Sequence, residues 1–105
     1  MVVLELTKKN FEREIKKGIV LVDFWASWCG PCMMLKPIYK ELSDVIRGIK
    51  FCSVDTQENG ELAMNYHITG IPCVVAFKDG REIDRIIGLM PREELKKAIE
   101  EIKKR

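Results

Sequence analysis

Ile19-Val20-Leu21-Val22-Asp23-Phe24-Trp25-Ala26-Ser27-Trp28-Cys29-Gly30-Pro31-Cys32 is the stretch whose reading decides the fold. Ile19 to Phe24 is a short apolar run rich in branched residues and broken only by Asp23. Met33 to Ile46 follows, with apolar residues at helical spacing. The Cys-x-x-Cys therefore stands between a strand and a helix. That context outweighs the four-residue motif, because a bare Cys-x-x-Cys is also half of a zinc site. At a helix N-terminus, free backbone N–H groups and the positive end of the helix dipole favour an anion. A cysteine there has a stabilised thiolate, which is the nucleophile of thiol–disulfide exchange. The expected chemistry is reversible making and breaking of a Cys29–Cys32 disulfide.

Working outward, Val2 to Leu6 alternates weakly and predicts a short strand, so the N-terminus reads as structure rather than a signal peptide. Thr7 suits the cap of a helix over Lys8 to about Lys17, with Phe11 and Ile15 buried and Gly18 as its stop. Ile19 to Ala26 has the near-continuous apolarity of a central strand covered on both faces. The helix after the motif turns Leu35, Ile38, Leu42, Val45 and Ile46 inward, and Pro37 inside it predicts a kink. Lys50 to Asp55 reads as a strand and Asn59 to Tyr66 as a short helix. Cys73 to Lys78 and Arg81 to Ile87 form a hairpin turning at Asp79-Gly80. Pro91 opens a last helix with the stripe Leu95, Ala98, Ile99 and Ile102. The order β-α-β-α-β-α-β-β-α specifies an α/β protein, with a mixed central sheet between helices.

One domain over residues 1–105 is the expectation from length. With 47% hydrophobic and 32% charged residues, the composition is that of a water-soluble globular chain. The net charge of +2 gives no reason to invoke nucleic acid, and Lys103-Lys104-Arg105 suits a helix C-terminus. No apolar run approaches membrane-spanning length, so a cytoplasmic location and no membrane partner are expected. In that compartment, a Cys-x-x-Cys beside a βαβ pattern reads as redox-active.

Asp23-Phe24-Trp25-Ala26, Trp28-Cys29-Gly30-Pro31-Cys32, Gly70-Ile71-Pro72, Phe77-Lys78-Asp79-Gly80 and Gly88 occur in the order and spacing of the thioredoxin family, which the chain resembles along nearly its whole length. The resemblance implies the thioredoxin fold, about five strands flanked by four helices. It also implies a protein-disulfide reductase with no bound cofactor beyond the redox-active pair, working as a monomer on disulfide-containing proteins and re-reduced by a thioredoxin reductase.

Within that frame Cys29, at the helix entrance, is the expected attacking nucleophile, and Cys32, one turn in, resolves the mixed disulfide. Gly30 is expected to permit a tight turn and Pro31 to stiffen it. Zinc ligation by all four cysteines is disfavoured, because Cys52 and Cys73 are 21 positions apart rather than a close pair. Asp23 is an acid in a predicted central strand, costly to bury and able to exchange protons near neutrality. The resemblance makes it the base toward Cys32; the alternative is a structural Asp bonded to backbone. The resemblance also implies a cis Ile71–Pro72 bond facing the disulfide, and a flat docking surface of Trp28, Ile71, Gly88 and Leu89. Leu89 and Met90 also suit ordinary core.

Three positions depart from the family. Cys73 follows Pro72 where Thr is common, which puts a third thiol near Cys29 if the loop faces the site. The reading favoured is a bystander that serves as a small buried hydrophobe, over a site of glutathione or metal capture or an alternative disulfide partner. Met33 replaces a frequent Lys, which makes the surface more apolar. Ser53 stands where many members carry a buried Lys near the Asp; Cys52, one position earlier, points to the other strand face as packing. His67 reads as a solvated turn residue. Two rival functions remain. A glutaredoxin-like or oxidase-leaning protein is disfavoured by Gly-Pro between the cysteines. A scaffold without turnover needs neither cysteine nor Asp23.

Overall fold

In the computed structural model, which describes residues 3–105, nine elements follow the order read from the sequence. They are β1 (Leu4–Glu5), α1 (Phe11–Glu14), β2 (Ile19–Trp25), α2 (Gly30–Val45), β3 (Ile49–Asp55), α3 (Gly60–Asn65), β4 (Cys73–Lys78), β5 (Arg81–Ile87) and α4 (Arg92–Lys103). The five strands lie in the order β1-β3-β2-β4-β5. β1 and β2 run parallel to β3, β4 runs antiparallel to β2, and β5 closes the sheet as a hairpin on β4. This is the mixed five-stranded sheet with four helices that the sequence predicts. Val2, assigned to the first strand, lies outside the described residues.

Strand alternation divides the core into two layers. Val20, Val22 and Phe24 of β2 join Cys52, Val54, Cys73, Val75 and Phe77 beneath α1 and α3, where Phe11, Ile15 and Leu62 cover them. The Phe11 ring centres this layer, 5.1 Å from Tyr66 and 5.7 Å from Phe77. On the opposite face Leu21, Phe51, Val74 and Ala76 meet Leu35, Tyr39 and Leu42 of α2, Ile46 at its C-cap, and Leu95, Ile99 and Ile102 of α4. Each of these large side chains contributes about 1.5–3 kcal/mol by leaving water.

Two expectations need correction. The helix expected over residues 8–17 is only Phe11–Glu14. Before it, Asn10 Oδ1 accepts from the Thr7 N–H at 2.8 Å and Thr7 Oγ1 accepts from the Lys9 N–H at 3.2 Å. Those side-chain bonds hold the segment as a turn instead of a helical cap. Beyond it, the Gly18 N–H donates to Asp79 Oδ1 at 2.8 Å and the Asp79 N–H returns to the Gly18 carbonyl at 3.0 Å, so tertiary bonds claim the chain. Val45 is exposed rather than inward. Leu35, Tyr39, Leu42 and Ile46 define the buried line of α2, and Val45 falls roughly a quarter-turn off it. Pro37 lies inside α2, where it withholds a donor from the Met33 carbonyl.

Among the described residues no helix is long and apolar enough to cross a membrane.

Candidate active site

α2 begins where β2 ends, and the turn between them carries the cysteines. Cys29 is the N-cap: its sulfur accepts the Cys32 backbone N–H at 3.2 Å, and its carbonyl accepts from the Met33 N–H at 3.1 Å. Pro31 falls in the first helical turn, where its missing N–H costs nothing. Gly30 needs no unusual backbone, and a Cβ there would meet nothing within 4 Å, so the tight-turn reason for glycine does not hold.

The Cys29 and Cys32 sulfurs are joined as a disulfide, with Cα atoms 5.2 Å apart. Cys32 is 1% exposed and Cys29 6%, so the first cysteine is the more accessible by a narrow margin. Ala26, Trp25 and Ile71 close around them. The Ile71 carbonyl oxygen lies 3.7 Å from Cys29 Sγ, within the reach of a hydrogen bond to sulfur. The Ile71–Pro72 bond is cis, as the resemblance implied. The Gly88 N–H donates to the Pro72 carbonyl at 2.8 Å, with Gly88 at φ +94°. The loop after β5 is thereby fastened to the loop before β4.

Large apolar side chains flank the pair in sequence and stand on the loop after β5: Trp28 is 70% exposed, and Met33, Met34 and Leu89 are also exposed. Met90 turns under and packs against the α2–α4 layer, which separates it from Leu89.

Behind the disulfide, Asp23 is 3% exposed and its Oδ1 has no hydrogen-bond partner within the protein. It is opposite Ser53 in the β2–β3 register, so no strand cation faces it there. A cavity of about 80 Å³ joins it to Cys32, and Val3, Trp25, Lys36, Tyr39, Lys40 and Ser53 complete the walls. That volume admits water. Burial lifts the Asp23 carboxyl from 3.8 to about 7, with Lys36 acting in the opposite direction. The structural alternative, an Asp satisfied by backbone, does not hold for Oδ1.

Cys52 and Cys73 are free and buried in the α1–α3 layer, on the sheet face away from this cavity. Burial pushes the Cys52 thiol up to about 12 and raises that of Cys73. Among the described residues no cluster of three or more His, Cys, Asp and Glu side chains stands ready for a metal. His67 is exposed at φ +54°, a turn residue as read.

Sequence reasoning missed two members of the site region. The Tyr39 hydroxyl lies 2.7 Å from the Cys52 carbonyl and 3.1 Å from that of Leu21, and it donates to the nearer. Lys36 holds its ammonium 4.0 Å above the Trp25 ring. The signal for Lys36 was its spacing, four residues after Cys32 and so on the same helix face.

A cysteine pair capping the first turn of a helix, in a mixed sheet with a cis-proline loop against the sulfur, defines a thiol–disulfide oxidoreductase. The thioredoxin family model matches residues 2–101. Over 101 residues the chain is 39% identical to thioredoxin of Staphylococcus saprophyticus and 36% identical to that of Staphylococcus aureus, covering 95% of this chain and 97% of each relative. The crystal structure of Malassezia sympodialis thioredoxin superposes with a TM-score of 0.84 at 32% identity, over 95% of this chain and 90% of that one. A mutant thioredoxin from Halobacterium salinarum gives 0.84 at 33%, over 93% and 88%. The chain belongs to the thioredoxin family. Its activity is dithiol–disulfide exchange, carried by a redox-active cysteine pair rather than a bound cofactor. Disulfide substrates and a reductase are the partners that the family implies.

Proposed function

We propose that residues 1–105 act as one monomeric domain that reduces disulfides in proteins by a division of labour between Cys29, Cys32 and Asp23. The Cys29 thiolate attacks one substrate sulfur. A Cys29–substrate bond forms, the substrate S–S bond breaks, and the departing thiolate takes a proton from solvent. Cys32 then gives its thiol proton to Asp23 and attacks Cys29. The Cys29–Cys32 bond forms, the mixed disulfide breaks, and the second substrate sulfur leaves as a thiolate that takes the proton back from Asp23. Two electrons pass from the protein to the substrate, whose two new thiol protons come from solvent and, by way of Asp23, from Cys32. A thioredoxin reductase restores the dithiol, in the cytoplasm.

Trp28, Gly30, Pro31, Ile71, Pro72 and Gly88 form the docking rim in this reading, with the Ile71 backbone beside the reacting sulfur to pair with an extended peptide. A carboxyl near 7 is about half ionised at neutral pH, so Asp23 both takes and returns a proton there. The rate of resolution rises with pH through about 7, because only ionised Asp23 accepts the proton.

The observation that carries this reading is the cavity shared by Asp23 and Cys32, directly behind a helix-capping Cys29. Insulin reduction tests it. Cys29→Ser stops turnover, Cys32→Ser accumulates a mixed disulfide through Cys29, and Asp23→Asn flattens the rise of rate with pH. An unchanged pH profile in Asp23→Asn rejects the role given to Asp23. A mixed disulfide through any other cysteine rejects the role given to Cys29.

A further inference from the structure

Asp23 and Trp25 are two apart in β2, so both side chains leave the sheet on the face toward α2. Cys32 and Lys36 are four apart in α2 and share the face toward β2. All four line the same cavity. The Lys36 ammonium is seated over the Trp25 ring at 4.0 Å, and cation–π attraction fixes a side chain whose position is otherwise exposed. The carboxylate beside it has a buried oxygen with no partner.

We propose that Lys36, docked on Trp25, is the positioning residue that holds a compensating positive charge beside Asp23 during proton exchange with Cys32. The inference rests on the role given to Asp23 above.

The surroundings of Asp23 leave few other sources of charge. From α2 it meets Cys32, Lys36, Tyr39 and Lys40; from β3 it meets Ser53, which is neutral. Tyr39 turns its hydroxyl to the Cys52 and Leu21 carbonyls. Cys73, across the sheet, is a neutral thiol with a raised pKa. Among the described residues, no second acid lines the cavity, and its cations are Lys36 and Lys40. Of the two, Lys36 is the one that stabilises the Asp23 carboxylate against the burial that opposes it. A positive charge at the mouth lets the carboxyl remain a usable base near neutrality without filling the space through which a proton passes. Trp25 thereby acquires a role distinct from packing, as the seat that keeps a flexible ammonium in place.

The test is a charge series read on Asp23 itself. In the disulfide form of the full chain, 13C NMR of the Asp23 carboxyl gives its titration midpoint. Lys36→Met raises the midpoint, Lys36→Glu raises it further, and Lys36→Arg keeps it near that of the parent. Lys40→Met moves it less than Lys36→Met. In turnover, the rising limb of the pH–rate profile moves to higher pH in Lys36→Met while the plateau above it is retained. A purely structural role would lower the plateau and leave the limb in place. An Asp23 midpoint unchanged in both Lys36→Met and Lys36→Glu overturns the proposal, and so does a midpoint set by Lys40 alone. A midpoint that moves while the rate limb stays supports the Lys36–Asp23 coupling and instead rejects Asp23 as the base, which separates the two failures.

Discussion

The two faces of the sheet are built from the same strands by the same alternation, yet they behave as different solvents. Beneath α1 and α3 the β2 side chains are Val20, Val22 and Phe24, and the layer contains aromatic rings and two thiols. Beneath α2 the β2 row runs Leu21, Asp23, Trp25, and the apolar layer gives way to a cavity with a carboxylate and two lysines on its walls. Cysteines sort along the same division. Cys52 and Cys73 are enclosed by hydrocarbon, which opposes ionisation, whereas Cys29 takes a backbone N–H at a helix start. Reactivity here belongs to the position a cysteine occupies and not to its being a cysteine.

The sharpest way to break that contrast is alkylation of the reduced protein at neutral pH. Moving a thiol from 9.0 to about 12 cuts its thiolate fraction about a thousandfold, so Cys52 should be silent while Cys29 reacts. Mass spectrometry of peptides after timed iodoacetamide exposure reads this directly. Modification of Cys52 or Cys73 at a rate near that of Cys29 would erase the distinction between the faces.

Asp23 gives the next largest effect. Its carboxyl keeps its proton up to about 7 in the folded protein but releases it near 3.8 when unfolded. The folded state therefore binds the extra proton, and this contribution to stability is complete below about pH 4 and lost as pH rises to about 7. The span corresponds to about 4 kcal/mol. Urea unfolding of the oxidised protein at pH 4 and pH 8 should show Asp23→Ala gaining that much on the parent between the two. Parallel curves at both values would mean that the polar face carries no such strain.

Smaller effects refine the comparison. Tyr39→Phe leaves the buried Cys52 carbonyl without its side-chain donor and should cost about 1–2 kcal/mol in the same unfolding assay. Gly88→Ala meets no steric obstacle, yet it forces a side chain onto φ +94° and should cost about 1 kcal/mol.

Much of this architecture was legible because local signals agreed with tertiary ones. The β4–β5 hairpin was read to the residue, since Asp79 and Gly80 both take positive φ, as a tight two-residue turn requires. Asp23 stood out because a charge in an apolar run has no local explanation. The short α1 was not legible: Thr7 and Asn10 bond within their own turn, and Gly18 is held by Asp79 from far along the chain. The separation of Cys73 from the cavity followed only once β4 had a register, because β-alternation sends Cys73 and Val74 to opposite faces. Lys36 escaped for a related reason. Its helical spacing from Cys32 was available, but its partner Trp25 belongs to another element, and only the folded chain brings them together.

The bond from the Gly88 amide to the Pro72 carbonyl supplies a native gauge of what happens at the rim. A peptide strand that enters beside Ile71 must either leave that bond intact or compete with it. The exchange lifetime and chemical shift of the Gly88 proton distinguish the two without any label. Two loops remote in sequence thus report as one spectroscopic position on whether a visitor has docked or has prised the doorway open.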